Sequence, residues 1–192
     1  IKRVVTAAES WVFRRQLLRL PGSDLDPIVA DVIRLDTGAP AVELAERVIA
    51  HLSRLNVSST YWPGDVEVRS ALLNEPVFRR FPRARLRAIL EAIEDELRSE
   101  TKQSQVERAG FPIEHVLPRQ WHDHWPVNSP EQADDRQAHV HRLGNLTLLT
   151  TSLNSKVSNG PWASKRKEFL KHSSINMTGR LVERTEQVQW SE

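Results

Sequence analysis

The pattern of apolar and polar positions changes about halfway along the 192-residue chain. In the first hundred residues, apolar side chains recur three and four positions apart, which is the spacing of one face of an α-helix. The clearest helix is predicted from about Pro82 to Ser99, and Glu91, Asp95 and Arg98 are expected to point away from its apolar face. That face contains Leu86, Ile89, Leu90, Ile93 and Leu97. These stripes predict a helical scaffold that carries no evident chemistry.

The second half has the pattern of short strands followed by a helix. Two β-like runs are predicted, at Pro112 to Leu117 and at Leu146 to Thr151, and a polar loop from about Gln120 to Gln137 separates them. A helix rich in Lys and Glu is predicted from about Trp162 to His172. The sequence therefore predicts an α+β fold.

The composition is ordinary for a globular protein, with 39% hydrophobic and 27% charged residues. No apolar run approaches membrane-spanning length, and because the chain begins at Ile1 we expect it to be part of a longer protein. The absence of cysteine excludes disulfides, thiol nucleophiles and thiolate zinc sites, and favours a reducing, intracellular setting. Any metal must then be held by His, Asp, Glu or Asn, which favours magnesium or manganese over structural zinc.

Positive charge is concentrated locally, although the formal net charge is only +2. Residues 139–172 contain six Lys or Arg and one acid, and residues 79–87 contain five arginines and no acid. Such patches suit a polyanion. Taken alone, the arginine run is interpreted as solvated helix faces.

Three short segments carry candidate chemistry: Glu114-His115 on the first strand, residues 143–146 at the start of the second, and residues 154–156 before the last helix. Metal-assisted phosphodiester cleavage needs a base, a hard cation and positive charge at the transition state. Histidine suits the base because its pKa lies near neutrality, and carboxylate and amide oxygens suit magnesium. The three segments contain all of these residue types.

In full, the segments read I-E-H-x-x-P, H-R-L-G-N-L-T-L-L and L-N-S-K-x-S-N-x-P-W-x-x-K. In this order they resemble the HNH nuclease domain at the C-terminus of GmrSD-type modification-dependent restriction enzymes, and the phosphorothioation-dependent defence protein SspE carries a similar domain. The stretches WVFRRQL, WPGDVEV and RLRAILEAIEDELR extend the resemblance into the helical half. The ordered combination is its most specific part, because any one segment alone is a weak signal.

The resemblance implies a ββα-metal nuclease core over residues 105–192, preceded by a helical scaffold over residues 1–104. By this analogy His115 is the general base, and Glu114 and Asn154 hold one Mg²⁺ or Mn²⁺ ion. Asn145 is also assigned to the catalytic set, and we expect it to fix the loop that carries His115.

Four further residues are expected to contact DNA by the same analogy: Arg142, Lys156, Asn159 and Lys165. Neighbouring side chains on a regular strand point to opposite faces, so Glu114 and His115 can share a site only if the strand twists or ends there. His141 is therefore a reserve candidate for the site. Trp162 stands where the family more often has phenylalanine, a difference that we attribute to packing.

The function implied is hydrolysis of double-stranded DNA by the effector part of a larger bacterial, cytoplasmic anti-phage protein. Its other, N-terminal part would sense modified DNA and bind a nucleotide, and one such site would nick a single strand. The alternatives are a non-catalytic DNA-binding or regulatory module, a helical adaptor, and RNA as the substrate. Taken singly, His115 could be a structural histidine, and Asn154 could be a helix N-cap.

Overall fold

The computed structural model describes residues 2–22, 25–36 and 38–184. This part of the chain is mostly helical and contains a two-stranded sheet, which confirms the predicted α+β class. Backbone contacts divide the chain into two compact units, Ile1–Leu73 and Asn74–Glu192. The helix predicted at Pro82 to Ser99 belongs to the second unit, whereas the domain boundary predicted after residue 104 stays a prediction.

The first unit is a group of amphipathic helices around a small apolar core. The helices are α1 (Lys2–Leu17), α2 (Leu25–Arg34), α3 (Ala41–Arg54) and α4 (Asp65–Asn74), the last of which ends at the unit boundary. The buried core residues are Trp11, Ile28, Val48 and Leu52. Arg15 is buried on α1, where its guanidinium donates to the carbonyls of Tyr61 (2.8 Å) and Pro21 (2.6 Å). These bonds fix the turns around α1 without exposing the charge to water.

The second unit surrounds an antiparallel pair of strands. Its elements are α5 (Val77–Arg80), α6 (Arg83–Glu100), β1 (Ile113–His115), α7 (Pro130–His139), β2 (Leu146–Leu148), α8 (Thr151–Val157), α9 (Trp162–His172) and α10 (Asn176–Arg184). Glu114 lies opposite Thr147, and His115 lies opposite Leu146. Both predicted strands are confirmed, although each is shorter than expected, and α9 has the predicted bounds.

Two helices of this unit correct the sequence prediction. The polar loop predicted up to Gln137 contains α7, which begins where Ser129 accepts a hydrogen bond from the Gln132 backbone N–H at 3.3 Å. The other helix is α8, whose N-cap is Thr150, which accepts from the Leu153 N–H at 3.2 Å. Asn154 therefore lies inside a helix, and the alternative that it is an N-cap is wrong.

A third correction concerns Arg98, which was expected to point away from the apolar face of α6. It is only 4% exposed and pairs with the fully buried Glu94 at 2.8 Å. Glu94 also accepts hydrogen bonds from the N–H groups of Asn176 (3.0 Å) and Met177 (2.9 Å) at the start of α10. Burial of both charges is tolerated because each has a partner and further hydrogen bonds. The pair thus joins α6 to α10.

A single apolar cluster joins α8 and α9 to the chain that follows β1. Its buried members are Val116, Leu117, Trp121, Trp125, Val140, Leu149, Leu153, Val157, Trp162, Phe169 and Val182. Trp162 packs in this core, as expected. Leu153 and Val157 face the same core as Val116 and Leu117, so α8 is tied to the end of β1. None of the described helices is long and apolar enough to cross a membrane.

Candidate active site

His115 lies at the end of β1 in a compact group of three rings. It is 5% exposed, and its Nε2 lies 3.4 Å from Nδ1 of His141. The ring of Phe78 meets His115 edge-on at a centroid distance of 4.2 Å and stacks on His141 at 5.7 Å. The backbone N–H of Phe78 donates to the His141 carbonyl at 3.1 Å. The structure therefore brings the predicted base and the reserve histidine together, with α5 packed against both.

Burial and nearby positive charge keep both imidazoles neutral at pH 7. Burial is the main cause that lowers the pKa of His115 to about 3. Repulsion from His141 in its protonated form, and from Arg119, Lys165 and Arg83, lowers it further. Burial also lowers the pKa of His141, followed by the charges of Arg79, Arg119 and Arg83. When His115 Nε2–H donates to His141 Nδ1, the Nδ1 of His115 is left to accept a proton or a hydrogen bond.

Asn145 is buried and uses both ends of its amide on backbone groups. Its Oδ1 accepts from the Leu117 N–H at 2.7 Å, and its Nδ2 donates to the carbonyls of Leu117 (2.9 Å) and Val140 (2.8 Å). These bonds hold the segment after β1 against the segment that carries His141. Asn145 therefore fixes the backbone next to both histidines.

The side chains of Glu114 and His115 contact different neighbours, because successive side chains on a strand point to opposite faces. Oε1 of Glu114 accepts from Nζ of Lys165 at 2.6 Å, and the same ammonium donates to the carbonyls of His115 (2.8 Å) and Val116 (3.1 Å). Burial lowers the pKa of Lys165, and the Glu114 carboxylate opposes this shift. All three Lys165 donors are used and the residue has no exposed surface. Lys165 therefore offers no surface to DNA here, and it joins α9 to β1 instead.

Asn154 carries an oxygen that suits a hard cation. Its Oδ1 is buried, and no described residue donates a hydrogen bond to it. A buried polar atom of this kind is normally satisfied by water or an ion. The described residues contain no group of three or more His, Cys, Asp or Glu that could hold a metal. Magnesium keeps several of its waters and takes few protein oxygens, so the amide oxygen of Asn154 suits its chemistry. Among the described contacts, none joins Asn154 to Glu114, whose carboxylate is paired with Lys165.

The other predicted DNA contacts have partners of their own outside the pair of His115 and His141. Lys156 pairs with Glu168 at 2.6 Å, Nδ2 of Asn159 donates to Oε1 of Gln120 at 3.1 Å, and Arg142 contacts His139 at 2.6 Å. Lys156 and Asn159 are exposed. Among the described contacts, none joins these residues or Asn154 to His115.

Three arginines near the histidines were not predicted as site residues. Arg83 places its guanidinium 3.5 Å from the ring centroid of Phe78, and Arg79 and Arg119 are close enough to shift the pKa of His141. All three are exposed, and no described carboxylate forms an ion pair with any of them. For Arg79 and Arg83, the signal in the sequence was the run of arginines without an acid at residues 79–87. Its interpretation as solvated helix faces missed that two of its members face the site.

Comparison with known families shows which family the chain belongs to. A sequence profile for the C-terminal domain of GmrSD restriction endonucleases matches residues 62–192, which is more than half of the chain. The chain belongs to this family. The predicted resemblance to GmrSD-type enzymes is confirmed, and the matched range contains every residue of the site described above. Neither the curated proteins nor the solved structures contain a significant match to the chain.

Proposed function

We propose that the chain is an HNH-type endonuclease that hydrolyses one phosphodiester bond of double-stranded DNA with Mg²⁺ or Mn²⁺. The observation that carries the proposal is the neutral, buried imidazole of His115 at the end of β1, in a domain of the GmrSD family. In this proposal β1, β2 and α8 form the ββα-metal core, because α8 shares the apolar core with the end of β1.

His115 acts as the base in the proposed reaction. Its Nε2 faces His141, and no described residue forms a hydrogen bond with Nδ1, which is therefore the nitrogen left for a water molecule. Nδ1 takes a proton as the water oxygen bonds to phosphorus. The bond from phosphorus to the leaving deoxyribose oxygen breaks, and that oxygen takes a proton from solvent. The imidazolium then returns its proton to solvent.

The low pKa of His115 has a consequence for this step. An imidazole with a pKa of about 3 is always unprotonated near neutral pH, but it is a weak base. A DNA phosphate brings negative charge close to Arg83 and Arg119, two of the groups that lower this pKa. Substrate binding would therefore remove the part of the shift that these arginines cause, while burial, its largest cause, would remain.

Asn154 and Glu114 are the proposed ligands of the cation, which when bound supplies positive charge to the scissile phosphate. Lys165 takes the role of a positioning residue, because it holds Glu114 and the carbonyl of His115 from within the core. Arg142, Lys156 and Asn159 remain proposed DNA contacts.

The family name supports a wider proposal. The domain would be the effector of a larger bacterial anti-phage restriction protein, whose other part senses modified DNA and binds a nucleotide. One active site cuts one strand, so a double-strand break would require two copies acting together.

The test is incubation of supercoiled plasmid with the chain in Mg²⁺, in Mn²⁺ and in EDTA. We expect open-circular product with either metal and none in EDTA. Nicking by His115→Ala at the wild-type rate would exclude His115 as the base. A shift in plasmid mobility without nicking in any metal would favour the alternative, a non-catalytic DNA-binding module.

A further inference from the structure

We propose that Arg79, Arg83 and Arg119 form a phosphate-binding cluster that binds the DNA backbone beside the scissile bond. Phe78 packs against the guanidinium of Arg83. The proposal deepens the proposed function and rests on it. It adds three DNA contacts to those already proposed at Arg142, Lys156 and Asn159. The added contacts lie next to the histidine pair, His115 and His141.

The cluster is assembled from three parts of the second unit. Arg79 lies on α5, Arg83 begins α6, and Arg119 follows the end of β1. Phe78 connects Arg83 to the site, because its ring contacts both histidines while the Arg83 guanidinium lies over it. Arg83 also donates to the Phe78 carbonyl, which fixes the position of its side chain. Arg83 is therefore anchored to the site, and Arg79 and Arg119 lie on the elements that flank it.

The charges of the cluster are uncompensated within the described chain. Arg80, beside Arg79 on α5, is paired with Glu75, whereas no described carboxylate pairs with the three cluster arginines. Like charges gathered around buried histidines repel each other, which disfavours the folded state unless an anion joins them. Guanidinium groups suit phosphate oxygens, because their planar donors can bind two oxygens at once. A backbone phosphate is the anion that the proposed reaction brings to this place.

An open cleft beside the cluster provides room for the substrate strand. Its volume is about 330 Å³. The lining residues come from α5 and α6 and from the segment that leads into β1: Phe78, Arg83, Ala84, Arg87, Phe111, Pro112 and Ile113. This largely apolar lining suits the sugar and base of a nucleotide whose phosphate lies on the arginines.

The experiment measures the affinity for a 20-base-pair duplex in EDTA, by fluorescence anisotropy between 0.05 and 0.2 M salt. Each contact with a phosphate contributes about −0.9 to the slope of log K against log salt. We expect Arg79→Gln, Arg83→Gln and Arg119→Gln each to reduce the slope by about 0.9 and to weaken binding roughly fivefold at 0.15 M salt. The triple Lys variant should keep most of the slope, because it keeps the charges.

Arg85→Gln is the matched control. It removes the same charge from α6, but residues two apart on a helix do not share a face, so the slope should stay within experimental error. A triple Gln variant with wild-type slope and affinity would overturn the cluster proposal alone, provided that His115-dependent nicking is observed. If the triple variant fails to fold, the exposed single changes Arg79→Gln and Arg119→Gln decide the matter. Wild-type protein that neither binds nor nicks DNA would overturn the proposed function as well.

Discussion

Replacing Lys165 by Met tests whether the contact between α9 and β1 positions the candidate site. The change keeps a long side chain but removes the ammonium that joins Glu114 to the carbonyls of His115 and Val116. The Glu114 side chain, 15% exposed, would keep its charge without a partner. Breaking a buried ion pair from one side costs about 3–5 kcal/mol. Because the unfolding free energy of a whole domain is about 5–15 kcal/mol, this loss would be a large share of the stability.

The assay is urea unfolding followed by tryptophan fluorescence, since Trp121, Trp125 and Trp162 lie in the core of the same unit. Lys167→Met, an exposed change on α9, is the control and should cost less than about 0.5 kcal/mol. Adding Glu114→Gln to Lys165→Met should recover about 1–3 kcal/mol relative to the sum of the single changes. A cost below about 1 kcal/mol for Lys165→Met, or simple additivity, would refute the reasoning.

Three further predictions follow from the site. Asn145→Ala should lower the unfolding free energy by about 2–3 kcal/mol in urea, because the Leu117 N–H and the Val140 carbonyl lose their partner; an unchanged midpoint would contradict this. The pKa of His115 is lower in the folded state than in the unfolded chain. The stability that this difference contributes is therefore present at pH 7 and is lost on acidification below about 6.5. Between pH 7 and 5, the unfolding free energy of His115→Gln should therefore fall by about 2 kcal/mol less than that of wild type. Equal falls for the two proteins, in thermal or urea unfolding, would show that the imidazole titrates normally. Asn154→Ala should raise the Mn²⁺ concentration for half-maximal nicking about tenfold or more, whereas an unchanged titration would remove Asn154 as a ligand.

The sequence predicted those features that local patterns determine. The strands were found because alternation and β-branched residues act over a few positions, and α9 was found because it is rich in Lys and Glu, which favour helices. The separation of Glu114 from His115 followed from the geometry of a strand. His141 was kept as a reserve for that reason, and it lies beside His115.

The features that were missed depend on partners distant in the chain. Lys165 carries a charge like the other lysines of α9, and only its contact with Glu114, 51 positions earlier, makes it a buried residue. Arg98 was expected at the surface because its partners, Glu94 and the carbonyl of Ser174, do not appear in the periodicity of α6. The arginines near His115 could be counted from the sequence, but packing of α5 against the histidines decides where they lie.

The most direct test of the central claim is the first-order rate of plasmid nicking by wild type, His115→Ala and His124→Ala in Mn²⁺. His124 is an exposed loop histidine and serves as the matched control. A general base contributes about 10²–10⁴-fold, so His115→Ala should be slower by that factor while His124→Ala keeps the wild-type rate. Circular dichroism should confirm that both variants are folded. If folded His115→Ala nicks at the wild-type rate, His115 is not the base and the account is contradicted.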